Sequence, residues 1–113
     1  MNLAVNVNIN LNLPQYSQLQ YTSNSVYIAN QGNGGIIVIN VGTGLRAWDA
    51  ADPSHTPSSC SVMQIDGVNA KCGCADGNEY SLFTGSPIGV QLPCALKEYR
   101  VIDNGGNSYT ITN

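Results

Sequence analysis

Between residues 3 and 13 every odd position is apolar (Leu3, Val5, Val7, Ile9, Leu11, Leu13), and every even position except Ala4 is asparagine. A period of two sends the apolar row to one face and the amide row to the other, which describes a strand packed on one side and wet on the other. Asparagine is a poor strand former, so the pattern rather than propensity makes the assignment. Pro14 ends the run. A strand of this kind belongs at a sheet edge. A row of asparagines can also ladder against a strand of another subunit or partner, so assembly through this segment is a second reading.

The rest of the chain continues in the same idiom. Short apolar or β-branched runs at 26–29, 36–41, 45–49, 61–65, 68–71, 79–83, 95–103 and 108–112 alternate with turns rich in Gly, Asn, Asp, Ser and Pro. The run 36–41 is apolar on both parities and is expected to be the most buried strand. The Gly-rich stretch before it precedes a strand rather than a helix, so it is a turn and not a phosphate loop. Asp66-Gly67 is a two-residue hairpin signal. The one tryptophan, Trp48, is expected in the core with its indole N–H paired. Nothing beyond a few residues has helical period. The expected fold is all-β, an antiparallel sandwich or barrel. At 113 residues the chain is expected to be a single domain.

Charged residues make up only 10% of the chain against a usual ~25%. The four basic residues, Arg46, Lys71, Lys97 and Arg100, form no run, which argues against nucleic acid and against an anionic membrane surface as partner. No apolar stretch reaches bilayer length. No signal peptide is read, and Met1 sits directly on the strand pattern, as in a trimmed chain. The chain is not expected to be an enzyme. His55 is alone in a loop, and Asp49 and Asp52, the nearest thing to paired carboxylates, are expected to be solvated at the surface. Tyr16, Tyr21 and Tyr27 would suit a small-molecule or glycan site on a β face, or a protein contact. Four cysteines allow two disulfides in three connectivities. Cys60, Cys72, Cys74 and His55 are alternatively a Cys3His zinc set.

From Trp48 onward the chain resembles the cluster-binding part of Rieske-type proteins. The tail Tyr80-Ser81-Leu82-Phe83-Thr84-Gly85-Ser86-Pro87, then Pro93, then Leu96-Lys97-Glu98-Tyr99-Arg100-Val101 follows the family pattern, and Cys72-Gly73-Cys74 resembles the start of its second loop. The resemblance implies a base sheet from 1–49 and 95–113, and a former cluster-binding subdomain at 50–94 in which two loops flank a hairpin. The family's four ligand positions fall here on Asp52, Ser54, Cys72 and Ala75. Only Cys72 is of ligand type, whereas a [2Fe–2S] centre of this class takes two thiolates and two imidazoles. By the same resemblance Cys60–Cys74 would be the inter-loop disulfide, and Cys72–Cys94 the second pair. Ser58-Ser59-Cys60-Ser61, Leu13-Pro14-Gln15-Tyr16 and the asparagine-rich start are similar to small envelope lipoproteins with a degenerate Rieske domain. That implies a native form held at the periplasmic or cell-surface side of the outer membrane by a lipid anchor absent from this chain, with protein partners in the envelope. The function expected is therefore a non-catalytic interaction or structural one with no cofactor. The alternative is electron transfer through a [2Fe–2S] cluster or another metal with unusual ligands, and the cofactor alternatives are [2Fe–2S] or zinc.

Overall fold

A computed structural model describes residues 5–28, 34–42, 44–51, 62–73, 78–88 and 96–112. Nine strands are described: β1 (Asn6–Asn10), β2 (Ser25–Ile28), β3 (Ile36–Asn40), β4 (Leu45–Asp49), β5 (Gln64–Asp66), β6 (Asn69–Lys71), β7 (Glu79–Ser81), β8 (Glu98–Gly105) and β9 (Ser108–Thr112). All pair antiparallel. They form a six-stranded sheet, ordered β1-β9-β8-β4-β3-β2, and a three-stranded sheet, ordered β5-β6-β7. The only described helix is a 3₁₀ turn, Ser17–Gln20, which drops Leu19 into the core. No helix among the described residues is long and apolar enough to cross a membrane.

The alternation at the start folds as its period requires. Val5, Ile9 and Leu11 are buried, Asn6 and Asn8 are exposed, and β1 lies at one edge of the large sheet. Strand β3 explains the continuous apolar run. Ile36 and Val38 face one core with Ile9, Leu19, Ala47, Tyr99 and Ile111. Ile37 and Ile39 face the other with Trp48, Met63, Ala70, Tyr80 and Leu82. The first core lies on the face of the large sheet that β1, β8 and β9 share with β3–β4. The second lies between the opposite face of β3–β4 and the small sheet. Each isoleucine buried this way contributes about 1.5–3 kcal/mol of transfer free energy.

Several boundaries differ from the sequence expectation. The β5–β6 loop is Gly67-Val68, one residue later than Asp66-Gly67, because Asp66 pairs with Asn69. Gly67 takes the first loop position with φ 62, a conformation that β-branched Val68 would resist. Strand β7 ends at Ser81 instead of Phe83, because the carbonyls of Leu82 and Phe83 are taken by side chains of β4. The last hairpin turns on Gly106-Asn107, both at positive φ, with a register shift between Asp103 and Gly105 that extends β8 beyond its expected end.

Candidate functional site

Two loop necks define the region where the sequence placed its ligand positions. The first opens after β4. Ala51 bridges Val62, and the Met63 amide donates to the Ala50 carbonyl at 2.6 Å, so the two ends of the 52–61 segment are pinned together. The second opens after β6, where the Cys72 amide donates to the Asn78 carbonyl at 2.7 Å. Ala50, Met63 and Cys72 belong to one core, so both necks rest on the same hydrophobic base. Asp52, Ser54, His55, Cys60, Cys74, Ala75 and Cys94 lie outside the described residues. With them go the Cys60–Cys74 and Cys72–Cys94 pairings and the Cys3His alternative. Of the expected ligand positions Cys72 alone is described, and its side chain is buried.

Asp49 departs from expectation. It is buried to 1% exposure rather than solvated. The Tyr99 hydroxyl donates to Oδ2 at 2.5 Å, and the amides of Gly34 and Ala51 donate to Oδ1 at 3.0 and 2.9 Å. One carboxylate thus joins β8, the residues leading into β3 and the second residue beyond β4. A buried carboxylate persists because its oxygens are met by donors in this way. It is a positioning group at the foot of the first loop, with no second carboxylate described beside it. Ala47 and Trp48 are both buried, so both faces of β4 are covered at this end of the strand and Asp49 has no solvent to point at.

The other side of the region is organised by Arg46 and Trp48. The Trp48 indole donates to the Leu82 carbonyl at 2.7 Å. Arg46 forks onto Glu98 (Nε to Oε2 2.8 Å, Nη2 to Oε1 3.0 Å), donates from Nη1 to the Phe83 carbonyl at 2.6 Å, and lies 4.6 Å from the Trp48 ring centre. The hydrogen bond to Glu98 raises the already high arginine pKa, against a lesser opposing effect of burial. A raised pKa gives stability that is present at all lower pH and is lost only as pH climbs through the folded value, so this contribution does not vary around neutrality. The ion pair itself is part-exposed and worth about 0–1 kcal/mol. Its carbonyl partner matters more, because β4 thereby holds the turn that leads from the small sheet back toward β8.

The three tyrosines differ in setting. Tyr16 packs against the first core, Tyr21 is exposed beyond the 3₁₀ turn, and Tyr27 on β2 gives its hydroxyl to the Gly34 carbonyl. Among the described residues no group of three or more His, Cys, Asp or Glu side chains gathers as a metal site would.

No protein-family model matches the chain, and no curated protein does. Among solved structures, a chain of the "Complex of reduced oxygenase and oxidized ferredoxin in carbazole 1,9a-dioxygenase" matches with a TM-score of 0.60 over 95% of this chain and 93% of its own, at 20% identity. The fold is Rieske-like. At that identity the likeness speaks for architecture alone. A Rieske centre takes two histidines, and His55 is the one histidine of this chain. The donor set does not fit the cluster.

Proposed function

We propose that this chain is a degenerate Rieske-like module that carries no Rieske centre and serves, without catalysis, as an interaction or structural protein of the cell envelope. The observation that carries the reading is the histidine count: a chain with one imidazole cannot complete a two-imidazole iron site. In this reading disulfides Cys60–Cys74 and Cys72–Cys94 tie the loops that a cluster would otherwise tie, each adding about 2–4 kcal/mol by restricting the unfolded chain. A lipid anchor on the native precursor would hold the module at the outer membrane. That location rests on the resemblance read from Ser58-Ser59-Cys60-Ser61 and the asparagine-rich start, and the low charge suits a protein whose solubility does not depend on repulsion.

Electron transfer is the second reading. It is favoured by the likeness to a chain of an oxygenase–ferredoxin complex, and it requires a cluster or metal with unusual ligands. Intact mass under denaturing, non-reducing conditions separates the two. A gain of about four mass units on reduction means two disulfides, and with a colourless, iron-free and zinc-free protein it supports the first reading. Four free thiols would sink it; bound iron alongside them would establish the second, whereas bound zinc, which has no redox chemistry, would sink both.

A further inference from the structure

Among the described strands, β1 is paired on one side only. The Leu11 amide donates to the Asn107 carbonyl at 2.9 Å, and that pairing continues the register Ile9↔Tyr109, Val7↔Ile111. The odd residues of β1 therefore exchange backbone hydrogen bonds with β9. The even residues, Asn6, Asn8 and Asn10, turn their backbone N–H and C=O groups to the open edge. No described strand meets them there.

The side chains on the polar face carry the same message. Asn104 Nδ2 donates to Thr110 Oγ1 at 2.8 Å, and Thr110 Oγ1 donates to Asn8 Oδ1 at 2.7 Å. This relay crosses β8, β9 and β1 in order and stops at the Asn8 amide nitrogen, at the edge. Natural edges are blunted by lysine, by inward charge, by bulges or by proline. β1 has none of these within its length, and no charged side chain occurs anywhere before Arg46.

We infer that β1 pairs with β1 of a second copy of this chain, antiparallel, about a two-fold axis at Asn8. An isologous contact must be self-complementary, and this edge is: Asn8 faces its own copy, and Asn6 faces Asn10 of the other. Each pair exchanges its outward N–H and C=O groups. The Asn10 carbonyl already accepts from Leu13 at 3.0 Å and has a second lone pair to give. The Asn8 amide nitrogens donate to the Asn8 Oδ1 atoms across the axis, so the relay runs on from one copy into the other. With no charge on either edge, nothing repels the approach. The inference rests on the β1 edge and holds whether or not the loops bind a cluster.

The test is sedimentation equilibrium of the full chain from about 1 μM to about 1 mM, spanning weak to moderate self-association, with backbone hydrogen exchange at both ends of that range. A monomer–dimer equilibrium is expected, in which the amides of Asn6, Asn8 and Asn10 gain protection with concentration while those of Val7 and Ile9 do not change. Asn8→Pro removes an outward N–H that the monomer does not use, at a strand edge where proline is tolerated. Asn8→Lys sets two ammonium groups against each other at the axis. Each should weaken dimerisation roughly tenfold or more while leaving the far-ultraviolet circular dichroism unchanged, and Tyr27→Ser on the opposite edge strand should have no effect on it. A chain that stays monomeric throughout, or a dimer whose protection maps elsewhere, overturns the inference. So does association that survives both substitutions at Asn8.

Discussion

Asp49 holds three donors from three places in the chain, so its removal is not a local event. Tyr99→Phe deletes one of those donors and should lower stability by about 1–2 kcal/mol, whereas Asp49→Ala strands all three and should cost about 3 kcal/mol or more. Urea unfolding of the two variants checks the ranking, and equal losses would argue against the carboxylate as the shared hub. Two glycines give a second contrast. Gly67 and Gly85 both have positive φ, but a Cβ on Gly67 meets open space, whereas one on Gly85 lies 2.6 Å from the Trp48 ring. Gly67→Ala should cost about 1–2 kcal/mol from the backbone alone, and Gly85→Ala about 1–3 kcal/mol more from overpacking. At this scale the sequence was partly legible. Trp48 lies in the core with its indole paired, as its uniqueness and strand context suggested. Asp49 was misread because a lone acid at a strand end resembles a solvated one until both faces of the strand are known to be covered.

Strand β3 is the element on which both cores depend. Ile36 and Ile37 are neighbours in sequence but belong to separate clusters. Ile36→Ala and Ile37→Ala should each cost about 2–5 kcal/mol, and the double variant should come within about 0.5 kcal/mol of their sum, since they share no packing partner. A large coupling energy would mean the cores communicate through the β3 backbone. The strands most legible in the sequence were those with an internal pattern: the alternating β1, the two-sided β3 and the five residues of β4. Boundaries were lost where something outside the strand decided them. β7 stops early because Trp48 and Arg46, from another sheet, capture the next carbonyls. The β5–β6 loop sits one residue late, with Asp66 paired to Asn69, and β6 is held by β7 as well as by β5.

For the whole molecule, the two cores lie back to back on β3 and β4, so neither can be lost alone without baring the other's support. Thermal unfolding followed by Trp48 fluorescence, which reports the core under the small sheet, should coincide with unfolding followed by far-ultraviolet circular dichroism. Separate midpoints would show that the small sheet melts on its own. The architecture was legible from the resemblance of the tail around Phe83-Thr84-Gly85 and from the spacing of the strands. The site was less so, because the positions expected to matter lie mostly in the segments between Ala51 and Val62 and between Gly73 and Asn78, where no periodicity constrains the chain. β4 pairs directly with β8 through Ala47↔Tyr99 and Trp48↔Glu98, so everything from Ala51 to Leu96 leaves and rejoins the large sheet at adjacent strands. In the order of its hydrogen bonds the large sheet is complete without that stretch, as a tree is complete without a graft. An architecture of this kind lets the grafted part vary in sequence and length while the register of the host sheet stays fixed.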